Sequence, residues 1–345
     1  MLTIIYIDMG EDYKFSGDID PFKKLALAEE EVRAITELGL TPEDLSMLLN
    51  NEPFGEGSYA LVFELPNIDL RLVAKVWKNP RDDFDRANNE NIALRLLRIR
   101  GSKNAPKIKS YLEPSKILFE EKIEGDPVEQ FDEAVIQRLA IALADLHSVK
   151  LNKYGKLFAE RKKGSRMDYL HDEIGTLRKL ALSFENQNNI VALVIRLLDK
   201  IESQADKYSE SFSGTNFTLI HFDLNKGNIL NLQKEKGLAI IDWEPASACA
   251  NAMDIAKLFL KSEFDASQKQ EFLAQYESAL SEEDPYLERR IQIYELFVLV
   301  NSILWRLSVL KNVPQQASSK LEADFYNRVK INLNKELETL QSSLS

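Results

Sequence analysis

Between Asp132 and Lys150 the apolar residues Val135, Leu139, Ala142, Leu143 and Leu146 recur at helical spacing, which predicts an amphipathic helix. Helices are also expected over Pro21 to Leu38, Phe84 to Arg98, Asp168 to Leu182 and Ile190 to Tyr208, and over most of Asp254 to Ser345. Thr41-Pro42-Glu43-Asp44 has the composition of a helix start: a capping hydroxyl, proline at the first position and acid in the first turn. Elsewhere the texture is that of strands. Tyr59 to Leu65 and Leu70 to Trp77 read as a pair joined by a Pro66-Asn67-Ile68-Asp69 turn, and Lys107 to Tyr111 and Lys116 to Ile123 as two more. Gly125-Asp126-Pro127 reads as a break, and a second β-rich island runs from Thr218 to Asp242. The expected order is an N-terminal extension over 1–45 with a short β-like start, a small β-rich lobe over 46–123 and a larger, mainly helical lobe over 124–345. That is an α+β, two-lobed architecture.

The 345 residues, 44% of them hydrophobic, suffice for two sizeable cores. With 44 Lys and Arg against 55 Asp and Glu, the formal charge of -11 argues against nucleic acid or an anionic membrane as the main partner. Cys249 is the one cysteine, so no internal disulfide can form, and three histidines without cysteine partners give no zinc pattern. A reducing cytoplasm fits this usage. The apolar run at Met1 is too short and lacks a basic flank for a signal peptide, and Leu296 to Trp305, interrupted by Asn301 and Ser302, reads as a buried helix.

The chemistry concentrates in His221-Phe222-Asp223-Leu224-Asn225-Lys226-Gly227-Asn228, followed 14 residues after Asn228 by Asp242 behind the apolar Ala239-Ile240-Ile241. Strand-like flanks place Asp223, Asn228 and Asp242 at strand ends and in a loop. Phosphoryl transfer needs such an inventory, one carboxylate for the acceptor hydroxyl and oxygen ligands for magnesium on the nucleotide phosphates. Upstream, Phe54-Gly55-Glu56-Gly57-Ser58-Tyr59 opens the first strand pair; alone it could equally be a hairpin turn. It precedes Leu72-Val73-Ala74-Lys75-Val76-Trp77, where alternation puts Lys75 on one face with Val73 and Trp77. Glycines let a backbone close over phosphates that Lys75 can then reach. In the next helix the stripe Ala87, Glu90, Leu94, Leu97 includes a carboxylate that needs a partner if buried, and Lys75 is the natural one.

Together these motifs resemble the protein-kinase-like superfamily, and within it the aminoglycoside phosphotransferase and choline kinase branch, over residues 50 to 305. The resemblance implies Asp223 as catalytic base, Asn228 and Asp242 as Mg2+ ligands, and Lys75, held by Glu90, on the phosphates of ATP beneath Gly55, Gly57 and Ser58. It also implies a hinge in which main-chain groups of Glu121 and Ile123 meet adenine. Ala142 to His147 is similar to the family's helix ending in Leu-His, with His147 more simply a core histidine.

Only 12 residues separate Asp242 from Asp254, with no Ala-Pro-Glu, which leaves no room for the activation segment of a protein-substrate kinase. Some 95 residues, mostly helical, lie between Gly125 and His221, as in small-molecule kinases whose inserted helices wall the acceptor pocket. The expected activity is therefore transfer from ATP to a hydroxyl of a small acceptor, cationic if it is aminoglycoside- or choline-like. The alternatives are a protein kinase and an inactive nucleotide-binding module. Glu244 and Asn251 lean towards a choline-like pattern, while Phe222 departs from it. Glu244, Asp168, Asp172, Tyr294, Glu295 and Trp305 are candidates for the acceptor wall, and Arg161-Lys162-Lys163 reads as a solvated loop.

Overall fold

The structure is a computed structural model that describes residues 27–56, 59–65, 71–78, 85–184, 187–232, 237–311 and 320–344. The expected β-like start, the Pro66 to Asp69 turn, Gly57 and Ser58 lie outside the described residues. Helices α1 (Glu29–Glu37) and α2 (Pro42–Leu49) come first. Thr41 caps α2 as its sequence expects: its hydroxyl accepts from Asp44 N at 3.1 Å and its own N–H donates back to the Asp44 carboxylate at 2.9 Å.

A five-stranded antiparallel sheet follows, in the order β1 (Gly55–Glu56), β2 (Ala60–Glu64), β3 (Leu72–Trp77), β5 (Ile117–Glu121), β4 (Ile108–Leu112). Helix α3 (Arg86–Arg100) is inserted between β3 and β4. Every residue of β3 is buried, because both faces of the sheet are covered. Leu72, Ala74 and Val76 pack with Ile117 and Phe119 against Ile35 of α1 and Leu45, Leu48 and Leu49 of α2. The alternating set points the other way, and Trp77 and Leu118 join the main core with Ala87, Leu94 and Leu97 of α3.

The chain then enters the helical lobe. Gly125-Asp126-Pro127, expected as a break, forms a short strand, β6, on the edge of a second antiparallel sheet in the order β11 (Leu238–Ile240), β10 (Ile229–Leu232), β6. Its edge position explains the tolerance for proline. A Cβ at Gly125 would stand 2.5 Å from the Asn231 carbonyl oxygen, so the close approach requires glycine. A third antiparallel sheet runs β7 (Lys150–Leu151), β9 (Phe217–Ile220), β12 (Ser247–Cys249), β8 (Gly155–Lys156). Around these sheets pack α4 (Glu133–Leu146), α5 (Arg166–Leu182), α6 (Asn188–Lys207), α7 (Asn251–Lys261), α8 (Ala266–Ala279), α9 (Leu287–Lys311) and α10 (Lys320–Leu344).

By length and composition α9 could cross a membrane, yet 78% of its apolar window is buried inside the fold, as the sequence expects for Leu296 to Trp305. Arg306 of α9 meets Glu336 of α10 in a two-pronged ion pair, Nε and Nη2 each 2.9 Å from a carboxylate oxygen, and Ser302 donates to the same group at 2.7 Å.

Candidate active site

Lys75 sits in the middle of β3, opposite Val62 of β2 and Leu118 of β5, so its side chain leaves the sheet on the face turned towards α3. Its ammonium lies 2.7 Å from Oε2 of Glu90 and 2.5 Å from Oδ1 of Asp242. Glu90 is fully buried on the apolar stripe of α3, and its second oxygen accepts from the Trp243 N–H at 3.0 Å. One carboxylate therefore fixes both Lys75 and the chain just after Asp242. Burial opposes the Lys75 charge, but Asp242 and Glu90 more than offset it and hold the ammonium well above its ordinary pKa. Burial opposes ionisation of Asp242 too, and here Lys75 prevails and lowers its pKa. Asp242 keeps 39% of its side chain exposed, on a backbone in the left-handed region at φ 67.

The loop between β9 and β10 carries Asp223 and Asn228. His221 opens it with both ring nitrogens engaged: Nδ1 accepts from Asp223 N at 3.1 Å, which leaves Nε2 to donate to the Ile241 carbonyl at 2.8 Å. The Asn228 carbonyl accepts from Ile241 N at 3.0 Å, so the Asp223 loop and the strand leading to Asp242 are tied twice. The Asn228 amide donates to the Asp223 carbonyl at 2.9 Å, which orients its side-chain oxygen as the atom left to act as a ligand. The Asn225 side chain accepts from Gly227 N at 2.9 Å and donates to the Asp223 carbonyl at 3.0 Å, closing the turn.

Two residues of α7, three apart, hold this loop from below. Both Asp254 oxygens accept main-chain N–H groups, from His221 at 2.6 Å and Phe222 at 2.7 Å. Lys257 donates to the Phe222 carbonyl at 2.5 Å and stands 3.7 Å from Oδ1 of Asp223. Burial lowers the Lys257 pKa to about 8 although Asp223 favours its charge. Asp254 and Lys257 are functional residues that the sequence motifs do not single out; their spacing, one helical turn apart after Asp242, is the signal that pairs them. His147 is the core histidine expected, bridging Asp254 at 3.2 Å and the Tyr276 hydroxyl at 2.7 Å.

Two further carboxyls line the Lys75 cluster. Glu120, on the same sheet face through its pairing with Val73, is buried with Oε2 lacking a hydrogen-bond partner among the described residues. Glu244 accepts from the Trp77 indole at 3.3 Å. Burial pushes both up to about 8, helped by Glu90 at Glu120 and by Asp242 at Glu244. Gly55 forms β1, and Glu121 and Ile123 end and follow β5, the sheet strand nearest the passage between lobes.

The six acceptor-wall candidates each have local partners. Asp168 caps α5 through Ser165, and Asp172 pairs with Lys162 and Tyr154. Tyr294 is buried against Phe212 and Phe297, Glu295 pairs with Lys269, and Trp305 packs beside Val309 and Tyr326. Glu244 belongs with Lys75. For Tyr294 and Trp305 these are the packing roles that helical spacing alone also predicts.

With this geometry in place, comparison with known proteins is informative. None of the curated protein sequences matches the chain significantly. Solved structures share its fold: the choline kinase LicA from Streptococcus pneumoniae (20% identity, TM-score 0.57, 85% of this chain and 97% of that one) and an ethanolamine kinase from Plasmodium vivax (19%, 0.60, 83% and 81%). A streptomycin-ATP-APH(2")-IIa ternary complex is similar as well (15%, 0.53, 78% and 92%). At these identities the likeness speaks for the fold, a kinase-like pair of lobes. Residues 51–289, which span the Lys75 sheet, the Asp223 loop and α7, match the model of the phosphotransferase enzyme family. The chain belongs to that family.

Proposed function

We propose that this protein transfers the γ-phosphoryl group of ATP to a hydroxyl of a small, amine-bearing acceptor. The observation that carries the reading is the double tie of the Asp223–Asn228 loop to the strand before Asp242, while Asp242 itself contacts Lys75. It gathers a lysine, two candidate metal ligands and a candidate base from both lobes. The solved relatives include kinases named for choline and ethanolamine and a complex holding streptomycin with ATP.

Asp223 lies at the mouth of the loop, 40% exposed, where its carboxylate orients an acceptor hydroxyl and takes its proton. Lys75 supplies positive charge to the phosphates, and Glu90 keeps it aimed. Main-chain groups of Glu121 and Ile123 hold the adenine, and Gly55 at the start of the first strand pair lies with the phosphates. The donor set suits magnesium, which uses one or two protein oxygens and takes the rest from phosphates and water: Asp242 offers a partly exposed carboxylate and Asn228 an oriented amide oxygen. When bound, the ion would neutralise charge on the phosphates. Between Asp242 and α7 the chain is short and includes β12, paired on both sides, which supports a small acceptor over a docked protein substrate.

The test is ATP consumption by the full chain with amino alcohols, aminoglycosides, neutral sugars and a generic protein. Turnover above the hydrolysis background with an amine-bearing alcohol is expected. Stimulation by protein alone would overturn the reading, and stimulation by neutral sugars alone would remove the amine from it.

A further inference from the structure

A cavity of about 350 Å³ opens between α5 and the hairpin over 154–162, whose ends are joined by Tyr154 and Lys162 (N···O 2.9 and 3.0 Å). Its lining comes from that hairpin and α5, and includes neither Asp223 nor Asp242. Glu173 reaches it from α5, 4% exposed, with Oε2 lacking any hydrogen-bond partner among the described residues. A buried carboxyl oxygen without a partner is costly, and a native fold keeps one where something else satisfies it. The neighbouring Asp172 is already engaged by the Tyr154 hydroxyl and Lys162, both at 2.8 Å.

Gly175 is the second observation. It lies inside α5, where glycine is the poorest helix former after proline, and a Cβ built there would meet nothing within 4 Å. The helix thus forgoes a side chain at a position that borders the cavity. Lys156 and Lys179 belong to the same lining, as does Glu160, so a ligand there meets charges of both signs beside Glu173.

We infer that this cavity binds a small molecule carrying a primary ammonium and an anionic group, with the ammonium N–H on Glu173 and the anion towards Lys156 and Lys179. Burial, and then Asp172, push Glu173 up to about 8, so an arriving ammonium would also restore its charge. An amino acid and a phosphate monoester of an amino alcohol share this chemistry. A quaternary ammonium does not, because it has no N–H to offer Glu173.

Calorimetric titration of the full chain with β-alanine, phosphoethanolamine and phosphocholine tests the inference. Saturable binding of β-alanine would assign the anion as a carboxylate, and of phosphoethanolamine as a phosphate; either result supports the site. Phosphocholine should bind about tenfold or more weakly, and Glu173→Gln should weaken the amines by about tenfold or more. Gly175→Leu should block binding without lowering the melting temperature, since leucine favours helix and the cavity has room. Asp223→Asn should bind as the parent does. No saturable amine binding, equal binding of phosphocholine, indifference to both α5 variants, or loss in Asp223→Asn would each overturn the site. The readout needs no phosphoryl transfer: amine binding without ATP turnover would end the kinase proposal alone, and turnover without amine binding would end this one alone.

Discussion

The Phe222 N–H donates to Oδ1 of Asp254 over 2.7 Å, and Phe222 itself stands at φ 66. A bulky residue in the left-handed region is strained, and it persists where its surroundings fix it. Here they do so through a carboxylate that also takes the His221 N–H and is 1% exposed. Burial raises the pKa of Asp254, but His147 and the His221 N–H outweigh it and hold the group below its ordinary value. The conformation just ahead of Asp223 is therefore set by a residue on α7.

Asp254→Ala should leave two buried N–H groups unpaired, a loss of about 2–5 kcal/mol in urea unfolding. Turnover should fall even at temperatures where the variant is folded, because the loop is released. Wild-type stability in this variant would show that the anchor lies elsewhere.

On the proposed mechanism, Asp223→Asn removes the group facing the acceptor hydroxyl and leaves the nucleotide contacts intact. The expected result is a kcat lower by about 10²-fold or more with an ATP Kd within about twofold of the parent. Equal loss of ATP affinity would move Asp223 to the nucleotide.

Asp242→Ala should bind ATP no better with magnesium than without it, since a carboxylate ligand is gone. The fold should survive because Lys75 keeps Glu90 at 2.7 Å. Titration at matched ionic strength, with and without the ion, makes the comparison; an undiminished magnesium effect would refute the assignment.

Glu173 yields a pH prediction. Its pKa is raised in the fold from 4.5 to about 8, mainly by burial. The folded chain thus holds a proton that the unfolded chain releases, so this contribution is complete below about pH 4.5 and fades as pH rises through about 8. The whole effect is at most about 5 kcal/mol. Glu173→Gln, which mimics the protonated group, should flatten the decline in melting temperature between about pH 5 and 8. A parallel decline in both proteins would place the titration elsewhere.

Glu336→Ala breaks the α9–α10 ion pair and strands Arg306, whose side chain is only 10% exposed. A destabilisation of about 3 kcal/mol is expected, and Arg306→Met in the same background should recover part of it. Denaturation of the single and double variants measures both.

Much of this arrangement is legible in the sequence because its signals are local. The stripe Ala87, Glu90, Leu94, Leu97 announces a buried carboxylate, and alternation in β3 places Lys75 to meet it, as the 2.7 Å contact bears out. β7, β8 and β12 leave no pattern in the sequence, since two or three residues carry no period. The acceptor-wall candidates show the limit of spacing as a guide: Tyr294 faces the core, Asp168 and Asp172 are exposed and Glu295 pairs with Lys269, and no local pattern separates these placements from a ligand wall. Neither Glu173 nor its cavity was visible, because that depends on how the hairpin at 154–162 folds back on α5.

The pairing of β6 with β10 has a mechanical consequence. β10 starts directly after Asn228, so the chain arriving from the small lobe is stitched to the catalytic loop's own strand within two residues of Ile123. On the other side, Lys122 N is bound to the Arg71 carbonyl at 2.8 Å, which leaves it moving with the sheet. The direct chain connection between the lobes is thereby reduced to Ile123 and Glu124, with Glu124 itself paired with Arg71, while Asn89 of α3 adds side-chain bonds to the Glu244 and Ala246 carbonyls. A nucleotide base lying against Ile123 would thus act as a splint across this short connection.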